Sequence, residues 1–213
     1  MEISEAKKIM ENNFIGPDEL NKISAKLNIA KINNEKITAI PFQAVQLEKM
    51  KDKFILILGV GKNVENENLT LNKMREFLGW DPEIKEPCFY NQDWYINEDF
   101  ANKTCLENKW YLIRKKVIDE TRSRRPEEIL KNIKENEKLP LAILTVFTFF
   151  SYWFLTNGKI LWQNDFIWCA DQDKGGDRIY TGRYQDPNRI KNGFNIHRHL
   201  SIKPNYGAIT QLV

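Results

Sequence analysis

The sequence predicts an α+β fold with a mixed N-terminal part, a helical centre and a C-terminal antiparallel β unit. The 213 residues include 42% hydrophobic and 12% aromatic residues, which is enough to bury a large core. Several segments before Gly158 carry apolar residues every three or four positions, the spacing of amphipathic helices. After Gly158 the pattern changes to alternation, which is typical of strands.

Four subregions follow from these patterns, and no repeat or low-complexity linker separates them. We therefore predict one domain over residues 1–213. The predicted subregions are a mixed α/β part over 1–80, an aromatic loop region over 81–104, a helical centre over 105–157 and a β unit over 160–213.

Two short helices are predicted at the N-terminus. Ser4–Asn12 forms the first, with Ser4 as its N-cap, and the second begins at Pro17, a residue suited to a first helical turn. The apolar stripe of the second helix consists of Leu20, Ile23 and Leu27. Two helices around a glycine turn also match a helix-turn-helix, but the pattern is common, so nucleic-acid binding is possible and not favoured.

The next segments predict a buried strand and a capped helix. The strand lies in "KFILILGVGK" (Lys53–Lys62), whose last residues lack the spacing and the Ser/Thr of a phosphate-binding loop. A helix over Leu69–Leu78 follows, with Thr70 as its cap and Gly79 as its stop.

An aromatic, proline-containing loop region then supplies candidate ligand-binding residues. Tyr90, Trp94 and Tyr95 form either a ligand platform or a set of anchors that pin an irregular segment to the core. Arg183 and Arg198 are further candidates, because a guanidinium can contact a phosphate in bidentate fashion.

The helical centre is predicted from three segments. Leu106–Thr121 has an apolar stripe at helical spacing, and Pro126 begins the next helix. The stripe consists of Leu106, Trp110, Ile113 and Val117. The uncharged run between Lys138 and Lys159 matches a membrane span in length, but Thr and Ser interrupt it. We predict a buried helix over Leu141–Leu155 and no membrane span.

The β unit is predicted to contain a glycine-turn hairpin and two further strands. The strands are Asp165–Ala170, Arg178–Tyr184, Gly193–Ile202 and Tyr206–Val213. Side chains alternate along a strand, so His197 and His199 share one face.

These two histidines and an acidic hairpin loop are the candidate metal ligands. The loop "DQDKGGD" contributes Asp171, Asp173 and Asp177, spaced like the opening of a calcium loop but without its final Glu. A divalent metal is therefore a possible cofactor. The competing interpretation is a solvated sheet face beside an ordinary Asp/Gly turn.

Composition gives little support to some classes of protein. A net charge of +3 is too balanced to indicate a nucleic-acid binder by overall charge alone. Cys88, Cys105 and Cys169 lack paired spacing, which argues against a disulfide framework or zinc finger. With no signal peptide evident, these features favour the cytoplasm.

No catalytic motif is evident, so the predicted function is binding of a protein partner or small ligand through the β unit and the aromatic segment, Phe89–Tyr95. The alternative is a metal-dependent hydrolase of phosphodiester-type substrates, in which the His and Asp candidates hold the metal and the metal activates a water.

Overall fold

A computed structural model describes residues 1–34, 37–183, 193–198 and 202–212. Within these ranges the chain forms seven α-helices and two mixed sheets, which confirms the predicted α+β class. One large buried cluster includes residues from both ends of the chain, from Ala6 to Leu212.

The two N-terminal helices are α1 (Ile3–Met10) and α2 (Pro17–Leu27). The predicted cap of α1 is wrong, because the N-cap is Glu2, two residues before Ser4, and Ser4 lies inside the first turn. The prediction for α2 is confirmed, since it begins at Pro17 and buries its stripe of Leu20, Ile23 and Leu27.

The first sheet has the strand order β1-β2-β3-β9-β4. Its strands are β1 (Phe14–Ile15), β2 (Phe54–Leu58), β3 (Trp110–Arg114), β4 (Glu137–Lys138) and β9 (Gln211–Leu212). Every residue of β2 is buried, as its continuous apolar run predicts. It pairs with β1 in parallel and with β3 antiparallel over five residue pairs.

The predicted helix over Leu106–Thr121 is wrong. This segment instead contains β3 and a short 3₁₀ turn over Asp119–Thr121. Four consecutive residues of β3 are buried, because the strand lies between two others and both of its faces are covered. Trp110 packs against Phe14, and its indole donates a hydrogen bond to the Thr38 carbonyl at 3.0 Å.

The predicted buried helix is confirmed as α7 (Ala142–Leu155), which is buried from Ala142 through Ser151. It packs on α2 and on the second sheet. Its Thr145 hydroxyl lies 2.9 Å from that of Thr181 in this sheet. Among the described residues, no helix combines the length and apolar character needed to cross a membrane.

The second sheet has the strand order β7-β6-β5-β8. Its strands are β5 (Phe166–Gln172), β6 (Arg178–Arg183), β7 (Phe194–His197) and β8 (Tyr206–Gly207). The hairpin of β5 and β6 is confirmed, with Gly176 at φ +87° in its turn. The predictions for Tyr184 and for residues 199–201 lie outside the described residues.

The predicted final strand, Tyr206–Val213, is wrong as one element. Its first residues form β8, which pairs parallel to β5, whereas its later residues form β9 in the other sheet. Val213 lies outside the described residues. The segment from Tyr206 to Leu212 therefore contributes one strand to each sheet.

The other helices are α3 (Ala44–Met50), α4 (Leu71–Leu78), α5 (Asp99–Asn102) and α6 (Pro126–Asn132). The predicted cap and stop of α4 are confirmed, because Thr70 accepts from the Lys73 amide at 3.3 Å and Gly79 ends the helix at φ +86°. The predicted start of α6 at Pro126 is also confirmed.

Candidate functional site

His197 ends β7 in a half-buried position against other side chains. Its ring stacks on Tyr180 with centroids 5.3 Å apart, and the Gln92 amide nitrogen lies 3.0 Å from its Nε2. Burial lowers the pKa of His197 below its usual value, which favours the neutral ring. The other histidine candidate, His199, lies outside the described residues.

Asp171 is a buried residue that anchors the start of α7. Its Oδ2 accepts a hydrogen bond from the Ala142 amide at 2.6 Å, so it satisfies one of the free amides of the first helical turn. Burial raises the pKa of Asp171, and the bond from Ala142 acts in the opposite direction.

Asp173 organises the hairpin loop. Its Oδ1 accepts from the amides of Gly175 and Asp177 at 2.8 and 2.9 Å, and its Oδ2 accepts from Arg198 Nη1 at 2.7 Å. Burial acts to raise the pKa of Asp173, but Arg198 and the loop amides outweigh it, so the pKa lies below its usual value. Asp177 is exposed at the same turn.

Three of the candidate metal ligands, His197, Asp171 and Asp173, thus have other contacts in the fold. Within the described ranges, no group of three or more His, Cys, Asp or Glu side chains is arranged to hold a metal ion. Asp171 contacts the start of α7, and Asp173 contacts Arg198 and its own loop.

The aromatic segment lies along the edge of β7. The backbones of Phe89 and Phe194 form a parallel bridge, and the Trp94 indole donates to the Ile196 carbonyl at 2.9 Å. Tyr95 is fully buried, whereas Tyr90 and Trp94 are half-buried. These contacts match the anchoring interpretation and cover the sheet edge.

The two candidate arginines are both paired with carboxylates. Arg183 is 6% exposed, contacts both oxygens of Glu86 at 2.9 and 2.8 Å, and lies over the Trp153 ring. Arg198 lies 4.6 Å from the Trp94 ring centroid in addition to its bond with Asp173. The guanidinium groups therefore join the aromatic segment and α7 to the second sheet.

A groove beside the C-terminal end of α7 is lined by side chains that were not among the candidates predicted from the sequence. It has a volume of about 850 Å³, within the range of small-molecule sites. Parts of α1, β1, α2 and the C-terminal end of α7 line it. We call it the lysine groove, after its lining lysines Lys7, Lys22, Lys51, Lys115 and Lys159.

The lysine groove carries an excess of positive charge. Three acidic residues line it, Glu11, Glu19 and Asp52, so the five lysines leave a local balance of +2. Lys7 pairs with Glu19 at 2.8 Å, and Lys51 pairs with Glu48 at 3.1 Å. Within the described part of the chain, no carboxylate lies within 4.0 Å of the ammonium groups of Lys22, Lys115 and Lys159.

Lys115 is the most constrained of these three lysines. It follows β3 directly, and its backbone amide donates to the Lys53 carbonyl at 2.8 Å, which fixes where the side chain begins. Its side chain is half-buried, and burial lowers the pKa of Lys115 below its usual value, an effect that Asp52 opposes. A partly desolvated ammonium without a close carboxylate is a suitable contact for an external anion.

Comparisons with protein-family models, with curated proteins and with solved structures found no match to this chain.

Proposed function

We propose that this protein is a binding module that holds an anionic ligand, with phosphate-bearing molecules as its chemical class, in the lysine groove. The observation that carries the proposal is that Lys22, Lys115 and Lys159 line one groove, and that no carboxylate of the described residues lies within 4.0 Å of their ammonium groups. Like charges in one groove repel each other, and a bound anion relieves that repulsion.

The apolar part of the lining adds a second kind of contact. Half-buried Ile9, Tyr152 and Leu155 lie in the groove beside the lysines. Ligand sites typically combine an apolar lining with a few polar groups that fix orientation. The groove therefore suits a ligand that carries both anionic and apolar groups.

Calorimetric titration of the protein with ATP and with inorganic pyrophosphate tests this proposal. The double variant Lys22→Gln/Lys159→Gln removes two exposed groove lysines. We expect it to weaken binding about tenfold, since an exposed charge contact contributes roughly 0.5–1 kcal/mol and the variant removes two. Equal affinities in the wild type and this variant would contradict the proposal.

A matched control removes the same charge elsewhere. Lys131 in α6 and Lys138 in β4 are exposed and do not line the lysine groove. The double variant Lys131→Gln/Lys138→Gln is expected to bind both anions as the wild type does. An equal loss of affinity in this control would show that the groove variant binds more weakly only because the overall charge of the protein has changed.

The metal-dependent hydrolase is the alternative proposal, and it has less support. It requires His197 and His199 to share a metal with carboxylates, two of which already bond to α7 and to Arg198. A cytoplasmic location is also proposed, on the basis of the free thiols of Cys88, Cys105 and Cys169.

A further inference from the structure

A second cavity adjoins the lysine groove. It has a volume of about 400 Å³ and lies between the segment after β3 and the segment after α7. Lys115 lines both cavities, so it stands at their junction. A ligand at Lys115 is therefore within reach of both spaces.

The second cavity continues the positive lining of the first. Lys116 is exposed there, and within the described ranges no carboxylate lies within 4.0 Å of its ammonium group. Arg122 lines the same cavity but is held by Asp165 at 2.6 Å and Asp119 at 3.0 Å. Counting only carboxylates of the described residues, the cations along the two cavities with none within 4.0 Å are Lys22, Lys115, Lys116 and Lys159.

We propose that the two cavities form one track for a single-stranded nucleic acid, with phosphates at these four lysines and bases against Tyr152 and Leu155. This inference rests on the proposed function and names its ligand. A positive groove with aromatic and apolar surface for the bases is the usual arrangement in proteins that bind single strands.

Single strands fit the two cavities better than other phosphate-bearing ligands. A mononucleotide lies within one cavity and leaves Lys116 without a role. A duplex keeps its bases paired and stacked, so they do not reach the apolar residues that line the groove. Inorganic polyphosphate has no apolar groups to place against Tyr152.

Fluorescence anisotropy with a labelled oligothymidylate tests the inference. A length of about 12 nucleotides is suitable, because such sites typically cover ~4–16 nucleotides. Four phosphate contacts predict a slope of log K against log salt of about −3, at roughly 0.7 per contact. Lys116→Gln alters only the second cavity. It is expected to weaken oligonucleotide binding about threefold, the loss typical of one exposed charge contact, and to leave ATP binding unchanged.

The outcomes separate this inference from the proposed function. Tighter binding of the oligonucleotide than of ATP, with dependence on Lys116, supports both. If ATP binds through Lys22 and Lys159 but the oligonucleotide binds no more tightly and ignores Lys116, the inference is overturned and the proposed function stands. If neither probe responds to the groove variants, both are overturned. Oligonucleotide binding without ATP binding supports the inference and restricts the function to polymers.

Discussion

Arg198 and Asp173 form an ion pair of 2.7 Å in which the aspartate is almost fully buried, with a side-chain exposure of 1%. The same carboxylate accepts hydrogen bonds from two backbone amides of the hairpin loop, and the guanidinium of Arg198 lies over the Trp94 ring. One pair of residues thus connects the hairpin, β7 and the aromatic segment. This contact accounts structurally for two residues whose types also suit ligand binding.

Asp173→Ala is expected to destabilise the protein by about 1–3 kcal/mol at pH 7, because Arg198 and two loop amides lose their acceptor. The pKa of Asp173 is lowered in the folded protein, so its contribution is present above the ordinary value of 3.8 and is lost as the pH falls through the folded pKa. Urea melts across pH should show the difference from wild type shrinking in acid. A difference that does not change with pH would contradict the role of the ion pair.

Trp110→Ala is expected to destabilise the protein by about 3–5 kcal/mol, because the indole fills the core beside Phe14 and bonds to Thr38. Val45→Ala, at a residue that is 65% exposed, serves as a control and should change stability by less than about 0.5 kcal/mol. Urea melts of both variants give the comparison. Wild-type stability in Trp110→Ala would show that β3 is not packed as described.

His197 provides a test between the two functional proposals. If His197 helps to bind a metal, a free metal concentration of one hundred times the Kd would stabilise the folded protein by roughly 2.7 kcal/mol. We expect no rise in Tm with zinc or manganese that depends on His197, because its ring already contacts Gln92 and Tyr180. A rise at micromolar metal that His197→Ala abolishes would favour the metal-dependent hydrolase.

Lys115 gives anion binding a characteristic pH dependence. Burial lowers the pKa of Lys115, so its positive charge is lost at a lower pH than that of an ordinary lysine, whose pKa is 10.5. As the pH rises, we expect the ATP affinity to begin to decrease before the pH reaches 10.5. Lys115→Arg should move the fall to higher pH, since arginine keeps its charge. An identical pH profile in this variant would show that Lys115 does not contact the anion.

Local signals in the sequence were sufficient for several elements of the fold. Thr70 and Gly79 mark the ends of α4 by their capping chemistry, and Pro126 marks the start of α6. The uncharged run of α7 predicts a buried helix because polar residues interrupt it, and Thr145 does bond within the core. Such features act through neighbouring residues, so no knowledge of the tertiary structure is needed.

The prediction failed where tertiary packing decides the conformation. Leu106, Trp110, Ile113 and Val117 have helical spacing, yet the segment forms β3, since pairing with β2 and β9 outweighs a coincidental period. The continuous apolar and aromatic run from Trp110 to Ile113 is the sequence signal that favours a strand covered on both faces. Similarly, nothing local indicates that Tyr206–Val213 divides between two sheets.

The candidate site could not be predicted because its residues are scattered along the chain. Lys22, Lys115 and Lys159 come from α2, from the segment after β3 and from the segment after α7. The net charge of +3 also conceals the groove, since acidic side chains elsewhere balance the total. These lysines line one groove only in the folded chain. The histidine and aspartate candidates, in contrast, are close together in the sequence, so their pattern is visible without the fold.

The most direct test of the lysine groove is to measure the rate of acylation of each lysine by mass spectrometry, with and without saturating ATP. We predict that ATP protects Lys22, Lys115 and Lys159 and leaves Lys131 and Lys138 unchanged, because the first three line the groove and the two control lysines do not. Unchanged rates at the three groove lysines, or equal protection of the two control lysines, would contradict the account.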